Sequence, residues 1–364
     1  MKRRQDAPAK FTHLGPLPVR VRTSSGEIVG SGVTGASIEL PDKGDHFVTM
    51  VLPDGQEIAV EDAMPSGSDD LPTGLIADAV PNDVVAEAVT LSAGLWHGKW
   101  LDLWRSGRPS LTGASSGEIE LSSQSPVTIS HRADGDQLLL TRQADRLLCT
   151  VVPYDFCGSC SAGTDPACEI AALLLDKPDE PVIAFRSQVS EEANTLLSFV
   201  ELGVLTNMVA LSEDEILRGE QAVQGSGTSA LRAITGAYVL LRSNLLHGLG
   251  PWLNQLEPFA KWLPDLQPLQ AELAARDGDH ERAVERIDAW IEEGRCPWFR
   301  GGLSYLSERI KLYLDVTDNK AADFNLDARR YARFRAMNQL LERMLATMVT
   351  SRYITTFELP LETG

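Results

Sequence analysis

The stretch Ala271-Glu272-Leu273-Ala274-Ala275-Arg276-Asp277-Gly278-Asp279-His280-Glu281-Arg282-Ala283-Val284 decides how the second half of this chain is read. A run of strong helix formers stops at a Gly278-Asp279 turn, and a second helical run follows it and ends near Gly294. The small residue Ala283 lets the two helices approach closely. Helix, Gly-Asp turn and helix together predict a helical hairpin. Working outward, helical periodicity predicts helices at about 189–210, 213–223, 228–246, 267–276, 280–293, 302–315 and 321–350. Ser190-Glu191-Glu192 and Ser212-Glu213-Asp214 place a capping residue ahead of acids in a first turn, where the helix dipole favours them. Pro251, Pro264 and Pro268 break the run into short pieces. Residues 188–364 therefore read as an all-α region.

The hairpin resembles half of a tetratricopeptide-type repeat, although one copy is visible where a solenoid needs about three. Before residue 188 the period is two. Val19 and Val21 alternate with arginines, Ile38 and Leu40 with Ser37 and Glu39, and Ile58 and Val60 with Glu57 and Ala59. Turn sequences at Ser24-Ser25-Gly26, Pro41-Asp42-Lys43-Gly44 and Pro53-Asp54-Gly55 separate them. This predicts a small antiparallel β-sandwich-like module over 1–61. An acidic linker at 62–82 follows, marked by Pro65-Ser66-Gly67-Ser68-Asp69-Asp70. A second β-rich unit occupies 83–187, with strands at Glu118–Leu121, Val127–His131, Gln137–Arg142, Leu147–Val152 and Pro181–Arg186. Residues 83–105 fit helix and strand equally, because Trp96, Trp100 and Trp104 share one face under either period. The class is α+β, with several domains.

Composition narrows the function. The 364 residues hold 51 Asp and Glu against 33 Lys and Arg, a formal net charge of −18. Such a surface repels phosphate, so neither nucleic acid nor an anionic membrane is expected as a direct partner. The deficit is concentrated: from Gly44 to His97 there are ten carboxylates and no Lys or Arg. No apolar run follows the basic Met1-Lys2-Arg3-Arg4, so no secretory signal is expected. Arg232 and Arg242 interrupt the longest apolar stretch, 228–249, so no membrane span is expected either. Five cysteines are few and odd in number, which fits reduced thiols in a cytoplasmic protein.

Two constellations carry candidate chemistry. Cys149, Cys157, Cys160 and Cys168 are spaced C-x7-C-x2-C-x7-C. Cys157-Gly158-Ser159-Cys160 has the form of a zinc knuckle, with Cys168 as a further ligand, but a structural zinc normally uses two knuckles and one is present. Cys149 lies inside a candidate strand, where a thiol is an ordinary core residue. Near the other end of the chain, Arg329, Arg330, Arg333 and Arg335 form a basic cluster interleaved with Tyr331 and Phe334. Phe334, Met337, Leu341, Met344 and Met348 then follow a 3-4-3-4 spacing, a single stripe that serves either as core or as a docking surface. The basic cluster could pair in cis with the acidic 44–97 block.

The order of several motifs carries a family resemblance. Thr235-Gly236-Ala237-Tyr238-Val239-Leu240-Leu241-Arg242 is followed by Leu249-Gly250-Pro251-Trp252-Leu253-Asn254, by Trp262-Leu263-Pro264-Asp265, by the Gly278 hairpin and by Gly301-Gly302-Leu303-Ser304-Tyr305-Leu306. This order resembles a helical region of bacterial proteins that accompany caspase-like and CHAT proteases. The 18–61 unit, with its Leu52-Pro53-Asp54-Gly55 turn, is similar to the β module that precedes that region. The resemblance implies a non-enzymatic interaction protein: a partner, target or effector in a protease-linked, in some systems CRISPR-associated, defence pathway. Cleavage is then expected in 62–82 or 219–228. No cofactor is expected. Two other readings are an inhibitor that holds a basic partner, such as a sigma factor, on the 44–97 carboxylates, and a zinc- or thiol-dependent enzyme centred on Cys157, Cys160 and Cys168.

Overall fold

The structure, a computed structural model, describes residues 18–23, 28–33, 46–51, 57–60, 90–105, 115–122, 127–130, 135–143, 146–153, 169–175, 182–187, 194, 196–197, 200, 230–260, 263–315, 324 and 326–360. It is an α+β protein. Two of the three period-two stretches near the N-terminus form strands, β1 (Pro18–Thr23) and β4 (Glu57–Val60); β2 (Ile28–Val33) and β3 (His46–Val51) accompany them, and the stretch at Ile38 and Leu40 lies outside the described residues. The four strands make one antiparallel sheet in the order β2-β1-β3-β4. Val21 stands opposite Val48 in the register, and both are buried, so the alternating valines mark the inner face.

The second β-rich stretch holds two antiparallel sheets. β5 (Thr90–Gly98), β6 (Ser115–Ser122), β8 (Asp136–Gln143) and β9 (Arg146–Val151) belong to a five-stranded sheet. β7 (Val127–Ser130), β10 (Glu169–Leu175) and β11 (Val182–Ser187) form the other, in the order β11-β10-β7. The undecided segment 83–105 contains both forms: strand β5 and then the short helix α1 (Trp100–Arg105). Trp96, Trp100 and Trp104 are all buried. Strand β10 went unpredicted because its Ile170-Ala171-Ala172-Leu173-Leu174-Leu175 run is continuously apolar. A strand flanked by neighbours on both edges shows no alternation when both its faces are covered.

The helical region contains α2 (Ala230–Arg242), α3 (Leu249–Ala260), α4 (Leu266–Arg276), α5 (His280–Glu293), α6 (Arg300–Leu314) and α7 (Ala328–Leu345). The α4–α5 hairpin is present where its sequence predicts it. Gly278 takes φ +81° in the turn, and Asp279 caps α5 by accepting a hydrogen bond from the Arg282 amide at 3.2 Å. Helix α3 was not expected, because Pro251 was read as a breaker. Pro251 lies in the first turn of α3 and Pro268 in the first turn of α4, where proline removes no intrahelical hydrogen bond. The last helix is shorter than the expected 321–350; it begins at the cap Asp327, which accepts from the Arg330 amide at 2.7 Å. Of the expected helix at 189–210, Asn194, Leu196, Leu197 and Val200 are described, helical and buried. The expected helix at 213–223 and the linker at 62–82 lie outside the described residues.

The reading of 188–364 as all-α needs correction. Residues Thr356–Pro360 form β12, which pairs antiparallel with β9 and gives the five-stranded sheet the order β12-β9-β8-β5-β6. The Thr150 and Thr356 hydroxyls lie 3.2 Å apart across this pairing, from positions 206 residues apart in the chain. The last strand therefore ties the helices to the sheet. Between them the hydrophobic core is continuous from Ala93 on β5 to Leu359 on β12.

Candidate functional site

The polar chemistry of the core converges on six residues, Gly294-Arg295-Cys296-Pro297-Trp298-Phe299, that link α5 to α6. Cys296, Trp298 and Phe299 are fully buried. A buried loop must find partners for its backbone groups, and this one finds them both close by and far away in sequence. The Gly294 carbonyl accepts from the Trp100 indole at 2.8 Å, and the Arg295 carbonyl accepts from the Trp290 indole at 2.9 Å. The Trp298 carbonyl accepts from the Thr355 amide at 2.6 Å, just before β12.

Two buried carboxylates take the loop's amides from opposite sides. Asp136, at the start of β8, accepts from the Cys296 amide at 3.3 Å and from the Arg295 guanidinium at 3.2 Å. Arg295 also donates to the Gly135 carbonyl at 3.0 Å. Asp265, the residue before α4, accepts from the Trp298 amide at 2.7 Å, the Phe299 amide at 3.2 Å and the Tyr238 hydroxyl at 2.6 Å. Gly302 makes this last bond sterically feasible. A Cβ there would collide with the Tyr238 hydroxyl and stand 2.8 Å from Pro297. Burial pushes Asp265 up to about 7, against the pull of its three donors. Burial likewise pushes Asp136 up to about 6, outweighing Arg295. The Cys296 thiol is held well above its ordinary range, by burial first and then by Asp136 and Asp265. Burial pushes the Cys149 thiol up to about 12. Both thiols are therefore neutral and poor nucleophiles.

A second buried cluster fixes α4. Its residues Leu266 to Ala275 are all buried, polar ones included. Glu272 accepts from Arg276 at 2.7 Å and receives a two-pronged bond from Arg309 at 2.7 and 2.9 Å. Arg276 also caps α2, donating to the Leu241 carbonyl at 2.6 Å.

The exposed surface is differently organised. The cap Asp279 and, on α5, Glu281, Arg282, Glu285, Arg286 and Ala289 line an open cavity of about 550 Å³. Its two guanidiniums are anchored sideways on α3: Arg286 makes bonds of 2.6 and 3.1 Å to Glu257, and Arg282 donates to Asn254 at 2.7 Å. The Arg286 bonds hold Glu257 below the usual carboxylate range. Along the neighbouring edge of α5, Asp288 lies 3.4 Å from Arg330 and 3.0 Å from Arg333 of α7, and Arg333 also reaches Glu292 at 3.1 Å.

These placements revise the expected interaction residues. Phe334, Met337, Leu341 and Met344 are buried in the core, so this part of the stripe packs inward and offers no docking surface. Met348 is half-buried and its backbone bridges to Phe357. Arg330 and Arg333 face acids of α5, and most of the 44–97 block lies outside the described residues. Arg329 is exposed. Cys157, Cys160 and Cys168 lie outside the described residues; among the described residues no group of three or more His, Cys, Asp or Glu is placed to hold a metal ion. No described helix is long and apolar enough to cross a membrane.

Sequence reasoning missed the 294–299 joint entirely. A signal existed: Asp265 interrupts the apolar run Leu263, Leu266, Leu269, and two large aromatics, Trp298-Phe299, follow closely on a helix stop. A family model described as the Y4kD C-terminal domain matches residues 195–358. The chain is similar to that domain over a stretch that holds α2 to α7, Asp265, the whole joint and most of β12, while Asp136 and Trp100 lie before it. No curated protein and no solved structure matches the chain.

Proposed function

We propose that this chain is a non-enzymatic protein–protein interaction protein: a partner, proteolytic target or effector of a caspase-like or CHAT protease in a bacterial, in part CRISPR-associated, antiviral defence pathway. The observation that carries this reading is the α4–α5 hairpin, whose inner helix is enclosed while its outer helix presents an open, charged cavity to solvent. Helical-repeat proteins bind partners on extended concave surfaces built from exposed helix faces. We read the helical packing as tetratricopeptide-like and the β1–β4 sheet as part of a sandwich-like module, in a protein that works in the cytoplasm without touching nucleic acid or membrane. The motif order from Thr235 to Leu306 supports the link to proteases, by resemblance alone. The exposed Glu281 and Glu285 at the cavity favour the second reading, an inhibitor that holds a basic partner such as a sigma factor. The zinc or thiol enzyme remains a third reading and rests on Cys157, Cys160 and Cys168.

Co-expression with a caspase-like or CHAT protease from the same gene neighbourhood tests the first reading. The expected result is co-purification or a discrete cut, located by mass spectrometry, within 62–82 or 219–228. An intact chain that does not co-purify refutes it. For the third reading, stoichiometric metal that is lost in Cys157→Ser is the expected result, and its absence refutes that reading.

A further inference from the structure

Arg242, Arg276 and Arg300 gather round two half-buried tyrosines, Tyr305 and Tyr353. Arg242 ends α2, Arg276 ends α4, and Arg300 and Tyr305 stand in the first two turns of α6. Tyr353 lies just before β12, and its carbonyl accepts from the Arg300 amide at 3.0 Å. The rings form a ladder. Tyr305 stacks on the buried Tyr238 at 6.2 Å, Tyr238 tilts on Phe299 at 5.0 Å, and Phe299 meets Tyr353 edge-on at 5.5 Å. The Arg276 guanidinium stands 5.8 Å from the centre of the Tyr305 ring. Burial raises the Tyr353 hydroxyl to about 12, against the pull of Arg242 and Arg300. It raises Tyr305 as well, against Arg276 and Arg242, so Arg242 lies beside both tyrosines.

Much of this positive charge has no internal use. Among the described residues neither Arg242 nor Arg300 forms an ion pair with a carboxylate; Arg300 donates to the Thr350 carbonyl, and Arg242 is exposed. Of the nearby acids, Glu272 is shared between Arg276 and Arg309, and Glu308 stands by Tyr305. Arg276 is fixed in place by the Leu241 carbonyl at 2.6 Å and Asn244 Oδ1 at 3.3 Å. Next to Asn244, Leu245 is 36% exposed, an apolar side chain left in water. Tyrosine, arginine and an exposed apolar side chain together have the make-up of a protein-binding hot spot. The rings offer area at low entropic cost, and guanidiniums grip carboxylates with two bonds.

We propose that this patch docks an acidic segment of a partner protein, whose carboxylates pair with Arg242 and Arg300 and whose neighbouring apolar side chain covers Leu245. Charge complementarity selects that occupant. The patch is locally positive in a chain of net charge −18. A short acidic segment meets the patch alone, whereas a nucleic-acid duplex carries its phosphates on across the acidic remainder of the surface. The inference goes beyond the proposed function, because it concerns a different surface from the α5 cavity. Peptide binding here and co-purification with a protease succeed or fail separately.

The test is fluorescence anisotropy of a labelled glutamate-rich peptide with a leucine at every fourth position, titrated with the full chain at low and at high salt. The expected result is saturable binding that weakens with salt, and no binding of the same peptide with lysine in place of glutamate. The double variant Arg242→Glu, Arg300→Glu should weaken binding ~tenfold or more. Arg329→Glu with Arg335→Glu changes the net charge equally on the exposed face of α7 and should leave the affinity nearly unchanged. Three results overturn the proposal: no binding of the acidic peptide, equal losses in the two double variants, or tighter binding of a DNA duplex than of the peptide. Should the Arg242, Arg300 variant fail to fold, Leu245→Glu decides, since it adds a carboxylate to an exposed loop without emptying a packed position. A ~tenfold loss there supports the docking site, and unchanged affinity overturns it.

Discussion

The α4–α5 hairpin and the 294–299 joint are adjoining parts of one core, built in opposite ways. The hairpin is local. Its turn residue, its cap and its helix periods lie within a few positions of one another. The joint is assembled from Trp100, Asp136, Tyr238, Asp265 and Thr355, which meet at one loop from across the chain. The difference teaches that a helical hairpin can be specified by sequence neighbours, while its attachment to a sheet depends on side chains whose roles appear only after folding.

The largest expected effect lies at the joint. Trp298 is fully buried, and its backbone binds both Asp265 and the approach to β12. Trp298→Ala should cost about 3–5 kcal/mol through the cavity it opens. Denaturant unfolding followed by far-ultraviolet and tryptophan signals should show helices and sheet lost in one transition. Two separate transitions would break the comparison, because the joint would then not couple the regions.

The next effect tests the hairpin's inner helix. Glu272→Ala leaves two partly buried guanidiniums, Arg276 and Arg309, without their shared carboxylate. A loss of about 2–4 kcal/mol is expected, mostly from the stranded charges. Replacing all three by apolar residues of similar volume should recover much of that loss. If the single and triple changes cost the same, the cluster contributes attraction of its own, beyond satisfying itself.

The purely local and exposed feature should matter less than either buried cluster. Asp279→Ala removes one side-chain cap from α5 and should cost ~1 kcal/mol, read as a shift in denaturant midpoint at constant slope. These three magnitudes run against the order of legibility. The Gly278 hairpin and the alternating valines of β1 were readable because turn chemistry and period are properties of neighbouring residues. Helix α3 was hidden because Pro251 has opposite meanings in a first turn and in a helix interior. Strand β12 was hidden because Thr356-Phe357-Glu358-Leu359-Pro360 closely follows a long helix, and its partner β9 is more than two hundred residues away. Phe334, Met337, Leu341, Met344 and Met348 share one stripe by their 3-4-3-4 spacing. Their period left open what covers that stripe, and here it faces the core. Asp265 and Asp136 looked like any other two of the 51 acids. The one signal, the break that Asp265 makes in the Leu263, Leu266, Leu269 run, takes its meaning from burial.

The smallest effect separates sequence distance from energy. Arg146 and Glu358 form an ion pair at 3.3 Å between β9 and β12, across 212 positions of sequence, farther apart than any pair in the joint. Their side chains are 55% and 42% exposed, so water and salt screen the attraction and holding two long side chains still offsets part of it. Arg146→Ala should therefore cost less than ~1 kcal/mol, and that small loss should shrink further at high salt. A loss comparable to that of Trp298→Ala would mean that pairing β12 with β9 depends on this exposed pair, and that remoteness in sequence is itself a mark of importance. The expected outcome assigns the coupling to buried contacts: Phe357 edge-on to Trp104 at 5.2 Å, and the Thr355 amide on the Trp298 carbonyl. Both sets of contacts are equally non-local. What sets the joint apart from the rim pair is the exclusion of water, which makes each polar group there costly to leave unmatched.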